Sequence, residues 1–215
     1  TDDIVKAVAP EVPRLRIPHT TNVNIFKKMP EHEVKEFRRK NKLGYKKNGD
    51  PKTLFFWNNR NARRKQSGTV LWWFSEFLEK VGKDSAAIVM HTEPKDPNGQ
   101  DLEAIIAETN MVNGEALLSV NKLTLQDLAI LYNVCDCTIN ISDAEGFGLA
   151  TLESLSCETP IIVNMTGGLQ EQVTDGKNWF GIGIEPSSKS IIGSQDVPYI
   201  YEDRISKEDF INALE

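Results

Sequence analysis

From Pro51 onward, short apolar runs alternate with longer stretches in which apolar residues recur every three or four positions. The runs "TLFFWN" (Thr53 to Asn58), "AAIVMHT" (86–92), "EALLSV" (115–120), "CTINIS" (137–142), "PIIVN" (160–164) and "WFGIGIE" (179–185) have the length and the β-branched or aromatic content of strands. The stretches between them predict helices around 69–82, 99–110, 123–135 and Gly148 to Ser156, with a short one at 168–174. In the third of these, Thr124 is placed to cap the helix and Asp127 falls at its third position. The strand runs are nearly continuously apolar rather than alternating, as in strands covered by helices on both faces. This succession predicts an α/β fold with a doubly wound, Rossmann-like parallel sheet.

The flanks read differently. The first thirty residues, with "VAPEVPRLRIPHTTN", are rich in proline and polar residues and suit a linker or entry segment. A short charged helix follows, opened by Pro30 and closed by Gly44. The folded domain is expected over 31–200, and 201–215 as the start of a C-terminal helix. The chain opens on Thr1 and closes in "FINALE", an unfinished helix by its pattern, so an excerpt of a longer protein is expected. Trp72, Trp73 and Phe74, at helical spacing with Phe77 and Leu78, are expected in the core.

Composition narrows the function only a little. Apolar residues make up 40% and charged residues 26% of 215 positions, ordinary for a core-forming chain. A net charge of −6 argues against nucleic acid as the main partner, although "RNARRK" (Arg60 to Lys65) is a local basic cluster. Cys135, Cys137 and Cys157 have no metal-ligand spacing and are expected as buried free thiols in a reducing compartment. No metal is expected. No apolar run has the length of a membrane span, and a cytoplasmic location is expected.

The chemistry concentrates in "EGFGLATLE", Glu145 to Glu153. It lies where a strand passes through an acidic loop into a helix, the place where open α/β sheets bind ligands. The helix start offers unpaired amides near Phe147, Gly148 and Leu149 and a positive dipole end, which favour a phosphate or a polar sugar. Gly146 and Gly148 carry no Cβ, so a ligand can approach the backbone. Glu153 lies roughly 7 Å along the helix at 1.5 Å per residue, its side chain leaning back toward the start. Two carboxylates at two depths suit a ligand with hydroxyls at both ends and phosphates between, a nucleoside diphosphate sugar.

The stretch "EGFGLATLESLSCETPIIVNMTGGLQEQVTDG" (Glu145 to Gly176) resembles the E-x7-E signature region of the retaining GT-B glycosyltransferases, closest to family 4. "NRNARRK" resembles the family's diphosphate loop after the first strand of the donor domain, "LTLQDLAILYNVCDCTINIS" the helix and strand before the signature, and "RIPHTTNVNIF", from Arg16, the entry segment between the two domains. The resemblance implies the C-terminal, donor-binding half of a GT-B enzyme, with the N-terminal acceptor domain outside this chain. It implies that Glu145 holds hydroxyls of the transferred sugar and that Arg60 and Lys65 neutralise the diphosphate, these three being the catalytic set. Phe147, Gly148 and Leu149 would meet the donor through their amides, helped by Gly146 and by Asn59 in the basic loop. Glu153 would bind the ribose, Gly167 and Gly168 would shape the loop facing the sugar, and backbone near "LLSVNKL" would read the base. Cations aimed at the leaving phosphate fit the chemistry independently, because charge develops there in the transition state. The implied partners are a UDP-, GDP- or ADP-sugar and a glycan, lipid or other hydroxyl acceptor, with no cofactor and no metal. Glu158 and Ala150 depart from the family, which usually has glycine and often proline there.

Two other classes of protein share parts of this pattern. A dinucleotide-binding oxidoreductase would need its glycine fingerprint after the first strand and an acid about 20 residues on, neither of which "GFGLAT" offers. A non-catalytic sugar-nucleotide binder that kept the fold is the alternative, against which stands the joint presence of Arg60, Lys65, Glu145 and Glu153. Arg63 and Arg64 are expected as solvated surface and His91 as a satisfied structural histidine. Asp143 either raises the pKa of Glu145 by repulsion or points to water.

Overall fold

The computed structural model of this protein describes residues 2–15, 17–46 and 48–215. Arg16, where the family resemblance begins, lies outside them. Helix α1 (Asp2–Val8) and helix α2 (Glu31–Lys40) precede the sheet. The chain then alternates: β1 (Thr53–Asn58), α3 (Ser67–Val81), β2 (Ala86–His91), α4 (Leu102–Glu108), β3 (Ala116–Ser119), α5 (Leu125–Val134), β4 (Cys137–Asn140), α6 (Leu149–Ser156), β5 (Ile161–Asn164), α7 (Gln170–Val173) and β6 (Gly181–Ile184). A two-stranded antiparallel ribbon, β7 (Ser188–Ile191) and β8 (Tyr201–Arg204), leads into α8 (Lys207–Leu214).

The main sheet has order β3-β2-β1-β4-β5-β6, every neighbouring pair parallel. The chain runs outward from β1 to β3, then returns to lay β4 against the other side of β1. Loops leaving β1 and β4 therefore diverge and open a crevice at the carboxyl edge. The expected doubly wound α/β sheet is the observed one.

Successive strand residues feed opposite layers, and both layers are apolar, which explains the uninterrupted runs. Phe55, Trp57, Ile88 and Met90 pack with Val70, Leu71 and Phe74 of α3 and with Phe210 and Leu214 of α8. Leu54, Phe56, Ala87 and Val89 pack on the other side with Ala129 and Tyr132 of α5. Thr124 caps α5 as expected, its hydroxyl accepting from the Asp127 amide.

Some expectations need correction. The first thirty residues are not all linker: α1 is helical, and Phe26 is buried against Tyr132 with ring centroids 6.0 Å apart. Helix α2 ends at Lys40, before Gly44, because Lys42 already takes a positive φ of 51°. Trp72 is 48% exposed and donates to Glu76, while Trp73 and Phe74 do face the core. The segment 201–215 begins with strand β8, and its helix starts only at Lys207. Glu158, at the end of α6, holds φ +60° and pairs with Lys28 at 2.6 Å. A left-handed residue there is what a glycine would adopt without strain.

Candidate active site

The basic loop and the glutamate loop meet at the crevice. After β1 the chain makes a short 3-10 turn at Arg63–Lys65 before entering α3. That turn is stitched to the loop after β4: the Asp143 amide donates to the Arg64 carbonyl at 2.8 Å, and Arg64 Nη1 donates to the Ala144 carbonyl at 2.6 Å. The stitching brings the Lys65 ammonium into an ion pair with Glu145, both side chains only 11% exposed. Arg64 approaches the same carboxylate at 3.8 Å. Burial lowers the Lys65 pKa, and the Glu145 carboxylate works against that shift.

Arg60 is not in this group. It leaves the same sheet edge, but its guanidinium makes a two-pronged contact with Asp96, at 2.7 and 3.2 Å. This holds the Asp96 carboxyl well below its usual range. Arg63 and Arg64 are exposed, as expected of solvated surface, yet both are engaged: Arg63 Nη1 donates to Glu202 at 2.9 Å, and Glu202 is buried on β8. Asn59 leaves β1 beside Arg60, and its Nδ2 is buried with no protein partner. Asp143 does not face water. It is buried, accepts from Gln66 and lies 3.9 Å from Arg204, and burial raises its pKa. His91 is satisfied, with Nδ1 3.0 Å from the carbonyl and hydroxyl of Ser119.

The turn from Gly146 into α6 is held from below. Gly148 caps α6 at φ +88°, and a Cβ there would meet Leu169 at 2.7 Å. Gly167 and Gly168, in the loop after β5, press on the same turn, and the Gly168 amide donates to the Glu145 carbonyl at 3.3 Å. Gln172 of α7 donates to the Gly148 carbonyl at 3.1 Å and also to that of Phe147. Among the described residues, the amides of Gly146, Phe147 and Gly148 have no protein acceptor. Gly146 differs from Gly148, Gly167 and Gly168: nothing lies within 4 Å of a Cβ built on it. Gly146→Ala is therefore expected to leave the melting temperature unchanged while weakening binding of a ligand that lies on the turn. Thermal melts beside ligand titration check both halves.

Glu153 lies one turn into α6. Its Oε2 accepts from the buried Tyr132 hydroxyl at 2.8 Å, and burial raises its pKa. The sequence pattern misses Tyr132, Gln172 and Glu202, and misses His19 of the entry segment, whose ring sits 4.5 Å from that of Phe147. The ribbon strand β8 crosses three of these loops. Glu202 takes Arg63, the Asp203 amide donates to the Asp143 carbonyl, and Asp203 accepts from Asn164 and Thr166. No group of three or more His, Cys, Asp and Glu able to hold a metal occurs among the described residues. No helix there is long and apolar enough to cross a membrane.

An open parallel sheet whose switch point carries a cation–carboxylate pair beside a turn of unpartnered amides defines a doubly wound α/β domain. The family model described as glycosyl transferases group 1 matches residues 98–213, more than half of the chain, and the chain belongs to that family. Among curated relatives, an uncharacterized glycosyltransferase of Methanocaldococcus jannaschii is 30% identical over 77 residues, which is 36% of this chain and 21% of that protein. Among solved structures, sucrose-phosphate synthase of Thermosynechococcus elongatus superposes with a TM-score of 0.67 at 19% identity, covering 99% of this chain and 45% of that one. Anabaena Alr3699/HepE, solved with UDP-glucose, gives 0.61 at 16% identity over 78% of this chain and 42% of its own. These structural neighbours are GT-B glycosyltransferases, and likenesses at such identity speak to the fold. The chain spans about a fifth of the M. jannaschii relative and less than half of either solved protein.

Proposed function

We propose that this chain is the donor-binding half of a retaining glycosyltransferase that moves a hexose from a nucleoside diphosphate to a hydroxyl acceptor, a glycan or a lipid. The observation that carries the reading is the meeting of Lys65 with Glu145 beneath an amide turn at the switch point of the sheet. In this reading the diphosphate takes Lys65 as its counter-ion, with Arg64 beside it. The unpartnered amides of the Gly146 to Gly148 turn, with that of Leu149, donate to diphosphate or sugar oxygens. Glu145, released from Lys65, accepts from sugar hydroxyls, and Glu153 accepts from the ribose. Asn59, with its buried unpartnered Nδ2, is a further donor toward the same ligand. Arg60 reaches the diphosphate only by letting go of Asp96, outside the site, whereas the partner that Lys65 exchanges for the diphosphate is Glu145, within the site itself. The base lies toward the end of β3.

Transfer breaks the bond between the anomeric carbon and the phosphate oxygen, and the electron pair goes to the leaving diphosphate. The acceptor oxygen attacks on the same face and gives its proton to that phosphate. Lys65 stabilises the charge that develops there, so neither glutamate needs to act as a nucleophile. The reaction is proposed to run without a metal. The acceptor is bound by a part of the protein outside this chain, and the reaction is proposed to take place in the cytoplasm.

A thermal-shift panel with UDP, GDP and ADP tests the reading, UDP first because Alr3699/HepE was solved with UDP-glucose. At a hundredfold excess over Kd, the preferred nucleotide adds about 2.7 kcal/mol of stability. At roughly 2–4 °C per kcal/mol for a domain of this size, the melting temperature rises by about 5–10 °C. No response to any of the three overturns the proposal.

A further inference from the structure

A chain of hydrogen bonds reaches Glu153 from the middle of the sheet. Asn58, the last residue of β1, donates through Nδ2 to the Tyr132 hydroxyl at 2.8 Å, and that hydroxyl donates to Glu153 Oε2 at 2.8 Å. The Tyr132 ring is fully buried, edge-on to Phe26 and Phe56 with centroids 6.0 and 5.1 Å away, so it has no room to turn. A hydroxyl that accepts once has its single proton left for one acceptor, and here that acceptor is the carboxylate. The chain joins β1, α5 and α6, three elements far apart in the sequence.

We infer that Tyr132 is a positioning residue for Glu153: it occupies Oε2 and turns Oε1 toward the ribose hydroxyls of a bound nucleoside diphosphate. The inference rests on the donor reading above and adds to it the device that orients the carboxylate. Tyr132 touches no ligand itself. Its hydroxyl also opposes the effect of burial on the Glu153 carboxyl. Burial raises the Glu153 pKa and the Tyr132 hydrogen bond lowers it.

Other charged groups near Glu153 do not take over that task. On α6 itself the Cys157 thiol is pushed up to about 11 by burial and stays neutral. On β4 the Cys137 thiol, pushed up to about 12, packs in the opposite layer. On α5 the Asp127 carboxylate is spent at the helix start, and strand β5 (Ile161–Asn164) brings no titratable side chain. Beyond the end of α6, Glu158 is paired with Lys28. No Lys, Arg or His among the described residues forms an ion pair with Glu153. The sign follows. Without the Tyr132 hydroxyl the Glu153 pKa rises further, so the carboxylate is lost, and ribose binding with it, at a higher pH than in the wild type.

The experiment compares wild type, Tyr132→Phe and Glu153→Gln in the intact protein. The probe is whichever of UDP, GDP and ADP stabilises the wild type most, set beside its 2′,3′-dideoxy analogue, with Kd measured from pH 4.5 to 8. Tyr132→Phe is expected to weaken the ribose-bearing nucleotide about tenfold. It should leave the dideoxy analogue within twofold and move the acid limb of binding to higher pH. A purely structural loss would weaken both ligands alike and leave the limb in place. Should Tyr132→Phe not fold, Asn58→Ala, which removes only the donor to the hydroxyl, is expected to give a smaller change of the same kind. If Glu153→Gln weakens binding while Tyr132→Phe, or Asn58→Ala in its place, binds both ligands as wild type does, the inference falls and the donor reading stands. If Glu153→Gln is silent, or the wild type does not distinguish the two ligands, the ribose assignment itself falls and takes the inference with it.

Discussion

Lys65→Met is expected to lower sugar transfer by the intact protein about 10²–10³-fold, the range for removing one preorganised group that faces developing charge. Lys65 is the cation most fully built into the site. It is buried on the turn after β1, and among the described residues the one partner of its ammonium is Glu145. A buried ammonium in a partly dry crevice acts on the leaving phosphate with little screening by water, so its removal falls mainly on the transition state. Methionine keeps the length and much of the volume of the stem, which limits the loss of packing. Glu145 retains Arg64 at 3.8 Å, so the carboxylate is not left wholly uncompensated. The measurement is kcat/KM for release of nucleoside diphosphate, normalised to folded protein from a parallel melt. A variant that keeps a third or more of the wild-type rate would show that the cation does not serve the leaving group.

Gly167→Ala should produce the largest loss of stability, about 3 kcal/mol or more. Two separate causes add. The residue sits at φ +50°, in the left-handed region that L side chains occupy at a cost, and its Cβ would lie 1.8 Å from the Glu145 carbonyl oxygen. That oxygen belongs to backbone and cannot swing aside as a side-chain tip would, so the turn carrying Glu145 must move. At roughly 2–4 °C per kcal/mol the melting temperature falls by about 6–12 °C. Chemical denaturation with an unchanged m-value would confirm a loss of native stability. An alanine accommodated with a loss under about 1 kcal/mol would mean that the two loops are not pressed together as described.

The sheet was legible in the sequence for a physical reason: strands buried on both faces are almost uninterrupted apolar runs, as "TLFFWN" and "AAIVMH" are. The ribbon was not. "SKSI" and "YEDR" are short and polar, and the residue that β8 buries is the carboxylate Glu202 rather than an apolar side chain. At the site, Lys65, Glu145 and the glycine turn were legible because they follow strand ends that lie side by side in the sheet. Which arginine stands beside Glu145 was not legible. Arg60 and Arg64 share one basic run, and the choice depends on Asp96 drawing Arg60 away. The Asp143 environment and the Tyr132–Glu153 contact were equally hidden, because both depend on the direction of side chains brought together only by packing. Glu158 was visible as an unusual residue at its turn, and its positive φ gives the reason.

The β8 crossing has a consequence for where this domain ends. A boundary drawn after β6, where the parallel sheet closes, would strip the side-chain acceptors from Arg63 and Thr166 and leave Asn164 with one of its two. The last thirty residues thus act as a strap across the mouth of the crevice rather than as a tail, and a shortened form should lose the shape of its rim together with the α8 side chains Phe210 and Leu214 that cover one face of the sheet. Arg63 and Glu202, 139 positions apart, are then best exchanged as a pair.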